Sequence, residues 1–446
     1  MALPAERNRV KRFAVIGSGI AGLAAARSLA AHGHVTLFEA GGRFGGHSHT
    51  VELTLGGVSH GVDTGFLVFN EKTYPKLVGL FAELGVATAP SEMSFSVQAR
   101  AEHLEWSGCN LGTVFAQRAN LARPAFWRML ADLLRFNRLS TALALDETAA
   151  GLAALDQPIG DFLAAHRFSE RFREWYFLPM IGCIWSCPTD QMLRFPIATL
   201  IRFCHNHGLL QITGRPPWRT VRGGARNYVT RMLEAIPDAR LQTPVRRVRR
   251  LASGGAEIST DRGQERFDAA VLACHSDQSL ALLADPSDAE RAVLGAIRYH
   301  ANRAVLHTDS SVLPQRRRAW AAWNYERAAS ADREKATVCL HYLINRLQPL
   351  PFSVPVIVSL NPLTAPAAGS VHGEFEYAHP VFDRAAVAAQ ARLPGLQGER
   401  DTWFCGAWTR HGFHEDGLAS GLAVAAQIAA RATAHEWRAA PAAEPA

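Results

Sequence analysis

Lysine and long apolar runs are both scarce in this sequence. Its 47 basic residues include only four lysines, Lys11, Lys72, Lys76 and Lys335. No stretch reaches the roughly 18 uncharged apolar residues that a membrane-spanning helix needs, so we expect no such helix. The polar start, residues 1–11, lacks the pattern of a secretory signal peptide. We therefore expect a cytoplasmic protein.

Cysteine is also sparse and follows no disulfide pattern. The seven cysteines are scattered, which is typical of a reducing compartment. Cys183 and Cys187, with His205 and His207 downstream, have a spacing that a metal site can use. Both cysteines lie in an apolar run that favours core positions, so we predict no metal site.

The net charge is +7, because 47 basic residues outnumber 40 acidic ones. This balance favours anionic partners such as nucleotide phosphates or acidic lipid headgroups. Arginines cluster at 246–250 and 316–318, but no nucleic-acid-binding motif accompanies them. We interpret both clusters as solvated surfaces and predict no nucleic acid partner.

A dinucleotide-binding pattern occupies the start of the chain. A short apolar strand, Arg12–Ile16, leads into the Gly-x-Gly-x-x-Gly run of Gly17–Gly22. A helical pattern follows to Ala31, and a second apolar strand, His34–Phe38, ends at Glu39. Strand, glycines, helix, strand and acid fall in order within about 30 residues, which is far more specific than the glycines alone.

Each residue type in this pattern has a physical reason. Gly17 permits the tight turn, Gly19 lets a pyrophosphate approach the backbone, and Gly22 lets the helix pack closely on the strand. The helix N-terminus offers free N–H groups to the phosphates, and Glu39 can accept hydrogen bonds from ribose hydroxyls. The predicted cofactor contacts here are Gly17, Ser18, Gly19, Ile20, Ala21, Gly22, Glu39 and Ala40.

The residues after Glu39 resemble one family of flavoproteins. Arg43, Gly45 and Gly46 match the Arg-x-Gly-Gly run of the flavin amine oxidase and phytoene desaturase superfamily, whose members bind FAD. That family often has arginine directly after the two glycines, where this chain has His47. The segment Asp63–Phe66 resembles the family's Asp-x-Gly segment beside the flavin ring. The resemblance implies FAD contacts from Arg43, Gly45, Gly46, His47, Gly65 and Phe66.

Later segments extend the resemblance along nearly the whole chain. Gly223–Gly224 resembles the family's turn before a helix, and Leu241–Val245 resembles its adenine-contacting strand. Residues 402–421 resemble its last flavin-contacting strand, loop and helix, although Ala407 stands where many relatives have an acid. The resemblance implies further contacts from Val245, Gly406, Asp416 and Leu418.

The resemblance is closest to a bacterial branch of NAD/FAD-binding, amine-oxidoreductase-like proteins. Members of this branch are associated with cyclopropane-fatty-acid-synthase-like enzymes, which implies a lipid-modifying enzyme as a partner. The segments that carry the closer match are 63–70, 184–186 and 412–417. No second Gly-x-Gly-x-x-Gly motif occurs, so we expect no separate NAD(P)H domain.

The predicted fold class is α/β. With 446 residues and 48% apolar composition, the chain is long enough for two or three domains. We predict a three-layer, Rossmann-like FAD domain with a parallel sheet, assembled from residues 1–85, 210–285 and 396–446. A discontinuous, amine-oxidase-like α+β substrate domain takes residues 86–209 and 286–395.

The segment Arg118–Arg138 alternates arginine with large apolar residues. Phe126, Met129, Leu130, Leu133, Leu134 and Leu139 keep helical spacing. Such a helix can lie on lipid, which would place the protein at the inner membrane face. A buried helix with arginines extending to water fits the pattern equally well.

The candidate catalytic residues come from segments near the two ends of the chain. His414, Glu415 and His47 are expected near the flavin, where a side chain can accept a proton while hydride goes to flavin N5. Glu415 and His414 can equally shape the loop or cap the helix.

We predict a flavin enzyme that dehydrogenates an apolar or lipid substrate, such as a modified fatty acyl chain. One alternative is an amine oxidase. Many such enzymes place a lysine near N5, where only Lys335 is a candidate, and a tyrosine where this chain has Phe413 and His414. A second alternative is a non-catalytic FAD-binding partner of a lipid-modifying enzyme.

Overall fold

The structure is a computed structural model. It describes residues 10–148, 151, 155–211 and 214–433, and at 333, 335, 336 and 433 it describes the backbone alone.

A five-stranded parallel sheet carries the glycine-rich turn. Its strands are β1 (Arg12–Ile16), β2 (His34–Phe38), β10 (Asp238–Arg240), β14 (Ala269–Leu272) and β20 (Thr402–Phe404). They are ordered β10–β2–β1–β14–β20, and every neighbouring pair is parallel. β1 and β14 are almost wholly buried, as expected for parallel strands covered on both faces.

Helices cover one face of this sheet. They are α1 (Ile20–Leu29), α2 (Pro75–Glu83), α10 (Arg226–Leu233) and α16 (His414–Thr433). Phe13, Val15 and Val271 of the strands pack in one core with these helices. α1 and α16 are in very close contact, because a Cβ at Gly421 would lie 2.1 Å from the carbonyl oxygen of Ala21.

The other face carries a three-stranded antiparallel sheet and more helices. The strands are β11 (Val245–Arg250), β12 (Ala256–Thr260) and β13 (Gly263–Phe267), and the helices are α11 (Ser276–Leu282), α12 (Asp288–Leu294) and α15 (Arg384–Arg392). Ala14, Ile16 and Leu272 pack against this layer. The architecture is therefore the predicted three-layer, Rossmann-like fold. α12 and α15 belong to this core although they lie within 286–395, which the sequence assigned to the substrate domain.

A seven-stranded mixed sheet forms the second part of the molecule. Its strands are β7 (Phe95–Ala99), β8 (Leu104–Ser107), β15 (Arg298–His307), β16 (Trp323–Glu326), β17 (Cys339–Leu343), β18 (Ile357–Leu360) and β19 (Val371–Val381). The order is β19–β15–β18–β17–β16–β7–β8, with one parallel pair, β16 and β7. Strands from residues 95–107 and 298–381 thus join in one sheet although they are far apart in the sequence.

Helices pack over this mixed sheet. They are α3 (Leu111–Val114), α4 (Pro124–Leu145), α5 (Ile159–Ala165), α6 (Glu170–Phe172), α7 (Leu178–Trp185), α8 (Thr189–Met192) and α9 (Ile197–Asn206). A π-helical turn, Arg173–Phe177, joins α6 to α7. Phe126 and Phe136 of α4 are fully buried in this core. Cys183 and Cys187 are also buried, which agrees with core positions.

Smaller elements connect the two parts. β3 (Thr50–Leu55) pairs with β4 (Val58–Asp63), and β9 (Trp218–Val221) pairs with β5 (Phe69–Asn70) and β6 (Thr88–Ser91). The remaining helices are α13 (Ala331–Ala336) and α14 (Ile344–Leu347). Among the helices of the described residues, none combines the length and apolarity that crossing a bilayer requires.

Candidate cofactor and substrate cavity

One large cavity runs between the parallel sheet and the mixed sheet. Its volume is about 1810 Å³, and it extends from the glycine-rich turn after β1 to Trp127 and Leu134 of α4. Most of the predicted cofactor residues line it: Gly17, Ser18, Gly19, Ile20, Ala21, Glu39, Ala40, Gly45, Gly46, His47, Gly65, Phe66, Val245 and Gly406.

The first turn has the shape that a pyrophosphate needs. A Cβ built at Gly19 meets no atom within 4 Å, so open space lies directly beside this backbone. A Cβ at Gly22 would lie 1.8 Å from the carbonyl oxygen of Gly17, so Gly22 is required for packing and does not line the cavity. Gly22 is therefore needed for packing, and the backbone of Gly19 has the open space that the predicted pyrophosphate contact requires.

Glu39 is held at the tip of β2. Its Oε2 accepts hydrogen bonds from the Ser18 amide (3.1 Å) and hydroxyl (2.5 Å), and its Oε1 accepts one from the Gly41 amide (2.8 Å). These bonds fix the carboxylate at the cavity wall beside the first turn. This is the place where the sequence predicts a ribose.

The Arg-x-Gly-Gly segment returns to the same turn. Gly45 and Gly46 adopt φ angles of 110° and 57°, which favour glycine, and the Gly45 amide donates to the Ser18 carbonyl (3.1 Å). His47 lines the cavity, and its buried Nε2 has no hydrogen-bond partner among the described residues. Arg43 does not line the cavity, but its buried Nη1 likewise has no partner there.

The residues present fit FAD. Open space beside Gly19, a fixed acid at the second strand tip and the unpartnered Nε2 of His47 lie around one cavity, and the unpartnered Nη1 of Arg43 belongs to the same glycine-rich segment. Buried polar groups normally have hydrogen-bond partners, and cofactor oxygens would supply them here.

His414 lies at the cavity wall as a neutral ring. Burial lowers the pKa of His414 to about 3. Its Nε2 is 2.6 Å from the Tyr228 hydroxyl, which in turn contacts the Ser48 hydroxyl. The ring stacks on Phe66 with centroids 3.9 Å apart. Burial, and then the neighbouring histidines and Arg43, also lower the pKa of His47 well below its usual value.

Glu415 and Asp416 lie away from the cavity wall. The Glu415 carboxylate accepts hydrogen bonds from the Lys76 and Leu77 amides, at the first turn of α2 (2.9 and 3.0 Å). The Asp416 carboxylate accepts from the His411 and Phe413 amides before α16 (3.2 and 3.0 Å). Leu418 is buried in the core beside α1 and does not line the cavity. These three side chains hold α16 in position.

The far wall contains residues that sequence patterns did not identify. His275 follows β14 and stacks on Tyr299 of β15 (centroids 4.2 Å apart). Tyr377 and His379 come from β19 and lie near His47, with ring centroids 5.1 and 5.4 Å away. The one signal available for His275 is its place just after a buried parallel strand, where ligands usually bind.

Beyond the predicted cofactor residues, most of the cavity lining is apolar or aromatic. The residues that line this end are Phe95, Trp106, Phe115, Trp127, Leu130, Leu133, Tyr176, Met180, Ile184, Phe203, Leu209, Trp323 and Tyr342. Phe413 lies where the amine oxidase interpretation expects a tyrosine, and it stacks on Phe203 with centroids 4.7 Å apart.

One group of side chains in the described part of the chain has ligand spacing for a metal ion: Glu326, Cys339 and His341. None of the three lines the cavity. Both ring nitrogens of His341 are already engaged, with the Ser359 hydroxyl (2.7 Å) and Glu326 Oε2 (3.0 Å). Hydrogen bonds therefore account for this cluster without an ion.

The buried histidines predict loss of stability in acid. Burial lowers the pKa of His379 to about 4, and neighbouring His275 and His300 contribute to the lowering. The unfolded chain binds protons below about pH 6.5, while folded His379 and His414 stay neutral. Stability therefore falls as pH drops from about 6.5 towards 4, by up to roughly 1.4 kcal/mol per pH unit for each histidine.

Denaturant unfolding at several pH values measures this slope. We expect His379→Gln to make it shallower and His32→Gln, at an exposed position, to leave it unchanged. If stability changes with pH equally in the wild-type protein and in His379→Gln, burial of neutral His379 is not a cause of the loss of stability in acid.

Comparison with known proteins identifies a family of flavoproteins. Residues 20–338 match the profile of the flavin containing amine oxidoreductase family. The chain is 29% identical over 290 residues to the carotenoid phi-ring synthase of Streptomyces griseus, covering 59% of this chain and 52% of that protein. It is 26% identical over 283 residues to AofH of Mycobacterium tuberculosis, assigned as a flavin-containing monoamine oxidase, covering 61% and 58%. The chain thus spans about half the length of the curated relatives it matches.

The fold is shared with solved structures. Cyclohexylamine oxidase from Brevibacterium oxydans IH-35A superimposes with a TM-score of 0.68 at 16% identity, over 95% of this chain and 99% of that one. The profile match, the glycine-rich turn and the cavity lead to one conclusion. The chain belongs to the flavin-containing amine oxidoreductase family.

Proposed function

We propose that this enzyme dehydrogenates a long apolar substrate, namely a fatty acyl chain carrying a methyl branch or a cyclopropane ring. Two hydrogens leave adjacent carbons of the chain, and bound FAD supplies the two-electron acceptor. The size and composition of the cavity carry this proposal.

The cavity is larger than a small amine requires. Ligand pockets commonly measure about 300–1,000 Å³, whereas this cavity reaches about 1810 Å³, including the space predicted for the cofactor. Its far end is lined by aromatic and aliphatic side chains. Such a surface favours an extended hydrocarbon, because every buried methylene adds favourable transfer free energy.

The cavity offers little to hold an ammonium group. Among the described residues, the carboxylates that line it are Glu39, held beside the first turn, and Glu92. Glu92 already pairs with Arg346 (2.7 Å) and the Ser94 hydroxyl. No lysine of the described side chains lines the cavity, and the side chain of Lys335 lies outside the described part.

His47 and His414 are the predicted catalytic residues that we retain in the proposal. Both are neutral and line the cavity, so they can orient the cofactor and substrate without adding charge to an apolar site. Glu415 is not retained as a proton acceptor, because backbone amides of α2 occupy its carboxylate.

Oxidation of an amine is the second candidate, favoured by the similarity to AofH. Acyl chains donate electrons to the flavin if the enzyme is a dehydrogenase, and amines donate them if it is an amine oxidase. A non-catalytic FAD-binding protein would accept electrons from neither class.

Anaerobic mixing separates these functions. Purified holoprotein is mixed with detergent-dispersed acyl substrates bearing methyl branches or cyclopropane rings, and with amines of equal chain length. We expect the visible flavin band to bleach with the acyl substrates. Bleaching by amines alone, or by no donor, would overturn the proposal.

Two variants of α4 provide a matched test of the cavity. Ala131 lines the cavity and Ala142 does not, and both lie on the exposed side of the same helix. Ala131→Trp narrows the apolar end, so we expect it to slow flavin reduction by long acyl chains without loss of FAD. Ala142→Trp should leave the rate unchanged, and equal rates in both variants would contradict the placement of the substrate.

A further inference from the structure

Exposed apolar side chains concentrate on one short stretch of the chain. Eight large apolar residues are exposed in the described part, and five lie between residues 111 and 145: Leu111, Leu121, Trp127, Leu134 and Leu145. Leu134 belongs to the apolar spacing that the sequence assigns to α4, yet its side chain is 50% exposed. Scattered apolar residues are ordinary on a surface, but a cluster indicates an interaction site.

Three of these five side chains also line the apolar end of the cavity. Leu111, Trp127 and Leu134 are 78%, 49% and 50% exposed, and each also lines the cavity. The Trp127 indole donates to the Leu121 carbonyl (2.9 Å), and its ring centroid lies 5.3 Å from that of Phe115. The exposed surface and the apolar lining are therefore continuous.

The same stretch is strongly basic. Residues 108–145 contain five arginines and a single acid, Asp132. Asp132 is already paired with Arg128 (3.4 Å) and Arg135 (2.9 Å). The other three, Arg118, Arg123 and Arg138, form no ion pair within the described part of the chain.

We propose that this surface docks on an anionic phospholipid bilayer, with the cavity opening towards the lipid. We call it the mouth surface: Leu111, Leu121, Trp127 and Leu134 with Arg118, Arg123 and Arg138. The inference rests on the proposed function, because a substrate carried on a lipid must reach the cavity from a membrane. Apolar side chains enter the headgroup region while arginines contact anionic headgroups.

The positive charge of the mouth surface favours an anionic bilayer as its partner over a second copy of the chain. Two copies meeting face to face would place arginines against arginines, and like charges in contact oppose association. A bilayer with anionic lipid supplies the opposite charge over the whole surface. Tryptophan at a surface that is half apolar and half charged is typical of side chains at a membrane interface.

Vesicle binding by the holoprotein tests the proposal. Sedimentation is measured with phosphatidylcholine vesicles with and without phosphatidylglycerol. We expect binding that requires phosphatidylglycerol and weakens as salt concentration rises. Replacing Arg118, Arg123 and Arg138 together by glutamine should weaken it about 100-fold, at roughly fivefold for each arginine. Trp127→Glu should weaken it about tenfold.

Control variants make the same chemical changes elsewhere. Replacing Arg247, Arg262 and Arg291 by glutamine removes equal charge from exposed positions outside the mouth surface. Val354→Glu introduces an acid at an apolar residue that is 45% exposed. Both controls should bind vesicles like the wild-type protein.

Three outcomes would overturn the proposal. In the first, the wild-type protein binds neither kind of vesicle. In the second, the mouth-surface variants and the control variants lose vesicle binding equally. In the third, the protein forms a concentration-dependent dimer that Trp127→Glu abolishes. Vesicle binding needs no turnover, and flavin reduction by detergent-dispersed substrate needs no membrane. Failure of the docking surface is therefore distinguishable from failure of the proposed function.

Discussion

Replacing Gly19 by alanine is expected to weaken FAD binding about 100-fold and to leave the fold intact. The added methyl meets no protein atom within 4 Å, so it does not disturb packing. It occupies the open space beside the first turn, where the pyrophosphate must approach the backbone. Loss of one or two hydrogen bonds to a charged phosphate costs about 3 kcal/mol, which corresponds to this factor in the dissociation constant.

Titration of the apoprotein with FAD measures the effect. Gly79→Ala is the matched control, because Gly79 lies on the exposed side of α2 and its added methyl also meets no atom. This control should bind FAD like the wild-type protein and gain about 0.5–1 kcal/mol of stability. If Gly19→Ala binds FAD as tightly as the wild-type protein, the first turn does not contact the cofactor.

Replacing Arg250 by methionine is expected to destabilise the folded protein by about 3 kcal/mol. Arg250 and Glu290 form an ion pair in which both side chains are only 1% exposed. Removing one partner leaves a buried charge without compensation, which typically costs 3–5 kcal/mol. The lower value is expected because Arg400 remains 3.5 Å from Glu290.

Urea unfolding and the thermal midpoint report this loss. Arg246→Met is the control on the same strand, β11, where Arg246 pairs with Asp261 and both side chains are more than half exposed. We expect the control to unfold at the wild-type midpoint, since exposed ion pairs contribute little. Similar destabilisation of both variants would show that burial of the Arg250 pair is not the cause.

The local parts of the cofactor site could be predicted from sequence. β1, the glycine-rich turn, α1 and β2 are adjacent in the chain, and each residue type is fixed by backbone geometry or phosphate access. The structure confirms the predicted parallel sheet and shows close packing at Gly22 and open space beside Gly19. The resemblance to the family supplied the cofactor itself, which spacing alone does not identify.

The opposite wall could not be predicted, because it depends on packing between distant segments. Tyr377 and His379 lie more than 300 residues from His47 in sequence and reach it only through the mixed sheet. Glu415 belongs to an acidic first turn of α16, and only the tertiary structure shows that it holds α2. Leu134 is exposed because it lines the cavity beside α4, and the helical spacing in the sequence does not reveal that cavity.

We expect the apolar end of the cavity to receive a carbon chain that loses two hydrogens to the bound flavin. A single anaerobic turnover followed by mass spectrometry of the acyl substrate measures this loss. One chain lighter by two hydrogens is expected for each flavin reduced. Reduced flavin with every acyl chain unchanged, or reduction only by an amine that is itself oxidised, would show that the acyl chain is not the electron donor.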